Sequence, residues 1–170
     1  DLTGREIERA LLEKVHTCEQ IEILEEHMAI DLLMESKGKR QAAEQDRCLG
    51  AYVLNRKTGV TETRCAKMTV LCSGGCGKVY LYTTNPDIAT GDGIAMAYRA
   101  GAKVANLEFV QFHPTCFFNR QVKNFLISEA VRGEDVKLIN QQGHPFMLQY
   151  DKRGDLATRD AVAQGIDAEM

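Results

Sequence analysis

Lys67-Met68-Thr69-Val70-Leu71-Cys72 runs straight into Ser73-Gly74-Gly75-Cys76-Gly77, and about fifteen residues further on Thr90-Gly91-Asp92-Gly93 opens a helical pattern. The first stretch reads as a short apolar strand ending in a glycine-rich turn. Glycine has no Cβ and accepts positive φ, so consecutive glycines let a backbone come close to a ligand. In the second stretch glycines flank an acid at a helix start, where a carboxylate can cap amides or accept from ligand hydroxyls. Tight turns and ordinary capping would write the same letters. Two such turns in succession, with Asn85-Pro86 between them, point to a nucleotide-type cofactor without saying which.

Outward from this centre, residues 3–16 place Ile7, Ala10, Leu11 and Val15 at helical spacing, with Thr3 and Glu6 in capping-box register. Residues 20–24 alternate apolar and charged side chains, and 27–34 are richer in apolar ones; both are expected as strands. The polar stretch 36–47, with its basic run Lys37-Gly38-Lys39-Arg40, reads as a solvated mixed-charge loop. Residues 49–55 and 61–65 form a hairpin pattern around Lys57-Thr58-Gly59. The remaining pattern is a helix over 92–99 stopped at Gly101, a strand over 104–112 broken at His113-Pro114, and a short helix over 125–131. A strand over 136–139 then meets the turn Asn140-Gln141-Gln142-Gly143, and a last helix runs from Ala157, with Thr158 or Asp155 near its start. Alternating helices and strands make this a mixed α/β chain. Its character changes near residue 107, the expected domain boundary.

A chain of 170 residues with 44% hydrophobic content has enough apolar surface for a sizeable core. The net charge of −3 leaves no electrostatic footprint for nucleic acid or an anionic membrane, and no apolar run is long enough to span a bilayer. Six cysteines are scattered without zinc-site spacing, so no metal is expected; they read as buried thiols in a reducing cytoplasm. The chain opens at Asp1 without an initiator methionine and closes inside a helical pattern, which makes a segment of a longer polypeptide the expectation.

The second half carries the polar chemistry. In Gln111-Phe112-His113-Pro114-Thr115 the proline restricts the residue before it to an extended backbone, so His113 is held where it can donate to a carboxylate. Glu129 lies three residues before Arg132, in range for an ion pair on a helix, and Arg159-Asp160 follows later. Such pairs are ordinarily surface features. Arginine's fixed fork of donors is also the side chain best shaped for a planar carboxylate.

Taken in order, Cys72-Ser73-Gly74-Gly75-Cys76-Gly77-Lys78-Val79-Tyr80, the run from Thr83 through Thr90-Gly91-Asp92-Gly93 to Gly101, Asn106 to Thr115, Phe125 to Glu134 and Asp155 to Asp160 resemble a known family. It is that of the succinate dehydrogenase, fumarate reductase and L-aspartate oxidase flavoproteins, and the resemblance covers essentially the whole chain. Gly77-Lys78-Val79-Tyr80 and Thr83-Thr84-Asn85-Pro86 are most similar to the L-aspartate oxidase branch. The resemblance implies FAD as cofactor. It also implies part of a doubly wound α/β FAD-binding domain over 1–106, followed by part of an α+β capping domain over 107–170. Backbone at Met28 and Ala29 would lie beside the adenine, Ser73, Gly74 and Gly75 would line the cleft, and Asp92 would touch the cofactor. His113, Thr115 and Ser128 would face the substrate carboxylates, Arg159 would be the proton-handling position, and Glu129 would hold it.

The implied reaction is oxidation of L-aspartate to iminoaspartate with a hydride passing to FAD, which oxygen or fumarate reoxidises. Its product passes to quinolinate synthase in NAD biosynthesis. A guanidinium is a poor base, with a pKa above about 12, so electrostatic stabilisation is the part of Arg159's role that physics supports. A fumarate reductase or succinate dehydrogenase flavoprotein subunit and a non-catalytic remnant of the fold stay open as alternatives. Two departures matter. Asp135 stands where the family usually has glycine after Arg-Gly-Glu, which touches the geometry of that turn, and the chain has no Gly-x-Gly-x-x-Gly turn to grip a pyrophosphate. The 170 residues alone are therefore expected not to turn over aspartate.

Overall fold

In the computed structural model residues 2–36, 46–117, 119, 121 and 125–170 are described, so the loop expected over 36–47 lies mainly outside the described residues. The chain divides into two compact units, Asp1–Gly77 with Ala89–Ala105, and Lys78–Ile88 with Asn106–Met170. Among the described residues no helix is long and apolar enough to cross a membrane.

The first unit opens with α1, Leu2–His16. It begins a residue before the expected cap, so Thr3 sits inside its first turn. Arg9 donates to Glu6 and Glu13, one turn away on either side, pairs worth a few tenths of a kcal/mol each. Ile7 and Leu11 share a face as their spacing predicts, yet both are more than half exposed.

An antiparallel meander follows: β1 (His27–Met34), β2 (Cys48–Asn55) and β3 (Val60–Cys65), in that spatial order. The β2–β3 hairpin forms where the sequence placed it. The Asn55 side chain accepts from the amides of Lys57 and Thr58, and Gly59 closes the loop at φ +71°. At the other end of the hairpin, Gly50 on the central strand is buried at φ +144° opposite Cys65, and a Cβ there would run into the Arg64 carbonyl oxygen. Helix α2, Asp92–Arg99, completes the unit, and its Arg99 donates to the Ile30 carbonyl and to Asp31 on β1.

The second unit has a ribbon of β4 (Cys116–Phe117) and β5 (Phe125–Leu126), a short α3 (Glu129–Gly133), 3-10 turns at Met147–Gln149 and Gly154–Leu156, and α4 (Arg159–Glu169). Its core is Phe146, Met147, Ala157 and Val162, with Leu138, Ala161 and Ile166 packed around them. Gly165 lets α4 settle onto the first of these turns, 2.8 Å being all that a Cβ there would have to the Met147 sulfur. Tyr150 and Asn140 both donate to Glu169, pinning the far end of α4.

The mixed α/β class stands, but several expected strands do not form. Residues 20–24, 67–72 and 104–112 carry no strand pairing among the described residues, and 136–139 reduces to one bridge between Ile139 and Pro145. Residues 125–131 split into β5 and the start of α3. Every strand pair described is antiparallel. A parallel pair needs a crossover of a dozen or more residues, whereas β2 and β3 are joined by a tight turn. The cysteines are free as expected, but none is buried: Cys65, Cys72 and Cys116 are exposed, and Cys18, Cys48 and Cys76 partly so.

Asp135 confirms that its turn is made for glycine, since it sits at φ +61°. Aspartate tolerates this region better than most residues, at a cost of about 1 kcal/mol, which the looser unfolded chain of a glycine variant partly offsets. Asp135→Gly is therefore expected to stabilise the protein by about 0.5 kcal/mol. A lowered thermal midpoint would contradict this.

Candidate functional site

The two glycine-rich turns of the first unit meet. The Gly91 amide donates to the Gly75 carbonyl over 3.1 Å, and Gly91 sits at φ +83° with only 2.9 Å between a built Cβ and that of Cys76. A side chain there would be strained and would push the turns apart. Gly93 faces the Ser73 hydroxyl more closely still, leaving no room for a Cβ unless that side chain turns away. Gly74 and Gly75, by contrast, have open space where a Cβ would be, so their backbone is accessible to a ligand beside the start of α2. Asp92, the first residue of α2, is exposed and accepts from the Thr90 hydroxyl at 2.9 Å. Met28 and Ala29 lie on β1, an edge strand of the meander, with their own side chains exposed.

In the second unit, His113, Thr115, Ser128, Glu129 and Arg159 come together from three separate stretches. The Thr115 amide donates to His113 Nδ1 at 3.3 Å, which leaves Nε2 to carry the proton of the neutral ring and to act as the donor. Thr115 is buried, and its hydroxyl donates to the Ile127 carbonyl at 3.0 Å while the Ile127 amide donates back to the Thr115 carbonyl. Its geometry thus braces the ribbon behind His113. Ser128 is the N-cap of α3, its oxygen accepting from the Ala130 amide, and its own O–H is left to donate.

Arg159, the first residue of α4, donates twice to one oxygen of Glu129, from Nη2 at 2.8 Å and Nε at 3.3 Å, and from Nη1 to Gln111 Oε1 at 3.1 Å. The hydrogen bond from Arg159 holds the Glu129 carboxyl below the ordinary carboxylate range, helped by the charges of Arg159 and Arg132 and by His113. Reciprocally, Glu129 raises the pKa of Arg159. Arg159 stays charged at any physiological pH.

Three members of this cluster, Arg132, Asp155 and Gln111, are not among the site residues expected from the sequence. Arg132 is only 4% exposed; it donates to the other Glu129 oxygen at 3.1 Å and to the Asp155 carbonyl at 3.1 Å, and its Nε has no partner among the described residues. The i,i+3 spacing with Glu129 announced the pair, but nothing local announces burial. Asp155, also buried, accepts from the Leu138 amide at 2.8 Å and so fixes the approach to α4. Gln111 was quoted only as part of the His113 motif. Residues two apart in an extended stretch emerge on the same side, a signal that could have placed it with His113.

One unit thus offers a cradle of accessible backbone at a helix start, and the other, taken by itself, a fixed cation with hydroxyl and imidazole donors. A family model described as FAD binding domain matches residues 1–170. The chain belongs to this FAD-binding family. It is 54% identical over 170 residues to L-aspartate oxidase 1 of Ralstonia nicotianae, covering 100% of this chain and 31% of that protein. It is 52% identical to the L-aspartate oxidase of Pseudomonas aeruginosa, with the same coverage of each. The chloroplastic L-aspartate oxidase 2-a of Nicotiana tabacum is 46% identical over 178 residues, covering 100% of this chain and 27% of that one. Among solved structures, a quinol-fumarate reductase with menaquinol molecules matches with a TM-score of 0.77 and 30% identity, over 94% of this chain and 28% of that chain. The resemblance to the succinate dehydrogenase, fumarate reductase and L-aspartate oxidase flavoproteins holds, and the chain spans less than a third of the length of these relatives.

Proposed function

We propose that this chain is part of an FAD-dependent oxidoreductase that oxidises L-aspartate to iminoaspartate. The observation that carries the reading is the Arg159–Glu129–Gln111 network, with His113 and Ser128 in the same unit, in a chain of the FAD-binding family whose relatives are L-aspartate oxidases. When bound, FAD supplies the two-electron acceptor for the hydride. The accessible backbone of Gly74 and Gly75 and the Asp92 carboxylate suit contact with that cofactor, with Ser73 behind them; β1 at Met28 and Ala29 offers an edge for the adenine. We assign 1–106 to the FAD-binding domain and 107–170 to the capping domain.

His113 Nε2 and the Ser128 hydroxyl donate to one substrate carboxylate, and Thr115 keeps His113 in the donor tautomer. Arg159 remains a cation throughout, stabilising negative charge as it develops, and Glu129 fixes its direction. Turnover belongs to the complete polypeptide, acting on a small dicarboxylate in the cytoplasm. Oxygen or fumarate is the final acceptor, and the product supplies quinolinate synthase. A fumarate reductase flavoprotein, favoured by the matching solved structure, is the second reading. The complete gene product is expected to form iminoaspartate from L-aspartate and oxygen, and to be far slower with succinate and a quinone. The reverse preference would favour the second reading.

A further inference from the structure

Glu129 alone does not fix the plane of the Arg159 guanidinium. Both of its contacts, from Nε at 3.3 Å and Nη2 at 2.8 Å, converge on the same oxygen, Oε2, because the other oxygen is taken by Arg132. Two donors on a single acceptor atom make a hinge: the guanidinium can swing about Oε2 with both bonds kept near their length. At the opposite end, Nη1 reaches Gln111 Oε1 at 3.1 Å. This second anchor lies across the group from the hinge, so it stops the swing. The arginine has only donors, so the amide must turn its oxygen towards Nη1; no other orientation of Gln111 makes this contact. The tethers use three of the five N–H groups, which leaves one on Nη1 and one on Nη2 for an anionic ligand. Gln111 arrives on the stretch that also carries His113, so one segment sets the donor ring and the direction of the cation together.

We propose that Gln111 is a positioning residue for Arg159, locking the guanidinium about the Glu129 hinge so that its free edge meets the substrate. This rests on the reading above that Arg159 acts on the substrate. A group needed at one orientation loses rate steeply when it can swing, with about a hundredfold lost for misplacement on the order of 1 Å.

The test uses the complete, flavin-loaded gene product and steady-state kinetics with L-aspartate. Gln111→Leu, which keeps the bulk and removes the acceptor, is expected to lower kcat by about tenfold or more while KM changes by less than about twofold. Flavin content and thermal midpoint are expected to stay at wild-type values. Gln111→Glu, which keeps an acceptor at the same reach, restores most of the rate. Wild-type kcat in Gln111→Leu, with Arg159→Leu inactive, overturns the positioning role and leaves the function reading intact. Full activity in Arg159→Leu overturns both. If Gln111→Leu fails to fold, Gln111→Glu against Gln111→Asn decides, because the shorter amide cannot reach Nη1. Activity in the first and its loss in the second supports the proposal; equal activity in the two overturns it.

Discussion

Replacing Arg159 with leucine in the complete gene product lowers kcat/KM for L-aspartate by about a thousandfold. The size follows from what the side chain is: a permanent cation, tethered to Glu129 and Gln111, with donors left over for a carboxylate or for developing negative charge. Leucine removes the charge and leaves Glu129 hydrogen-bonded to the buried Arg132. Arg159→Lys is expected to recover part of the loss, because a point charge cannot engage Glu129, Gln111 and a ligand through separate edges at once. Folding is not at stake to the same degree, since the Arg159 side chain is 39% exposed, so flavin content should survive the change. Acid does not mimic the substitution until late. Arg159 depresses the Glu129 pKa, so whatever the pair contributes is present above the ordinary carboxylate range and is lost only as pH falls through the lowered folded value. An acid limb in the pH–rate profile within or above that range must come from another group.

The largest effect on stability is expected at Gly50. Gly50→Ala puts a Cβ onto the Arg64 carbonyl oxygen, a backbone atom that cannot step aside without parting β2 from β3, since Arg64 pairs with Ala51. The position also sits at φ +144°, a region side-chain-bearing residues rarely adopt, which costs about 1–3 kcal/mol by itself. With the packing clash added, the loss is on the order of 3 kcal/mol. Chemical denaturation of the complete protein, followed by circular dichroism, measures it; an unchanged midpoint would mean that the meander does not hold the register described. The adjacent Leu49, whose carbonyl accepts from Ala66, has no such constraint on its side chain.

What could be read in the sequence divides along local and non-local lines. Helices α1, α2 and α4 and the β2–β3 hairpin were legible because their signals lie within a few residues: the Ile7–Leu11 spacing, Asp92 at a helix start, Asn55 and Gly59 in a turn. Residues 67–72 and 104–112 had the composition of strands, but a strand exists only where a neighbour pairs with it, and neighbours are not written locally. Met68 and Val70 accordingly remain largely exposed. The polar cluster was legible in part. His113, Ser128, Glu129 and Arg159 were drawn from the family resemblance, and the geometry brings them into one unit. The burial of Arg132 and the second tether of Arg159 to Gln111 depend on how α3 and α4 pack, and a surface-type i,i+3 pair looks the same whether or not another element covers it.

The central claim is that Arg159, held between two partners, serves oxidation of a small diacid. Anaerobic rapid mixing of the flavin-loaded complete protein with L-aspartate tests it most directly, with the visible flavin band as the signal. The account predicts that the band bleaches within a single turnover in the wild type and at least a hundredfold more slowly, by about that order, in Arg159→Leu. A band that stays unbleached with aspartate in the wild type, or that bleaches equally fast in both proteins, would contradict it.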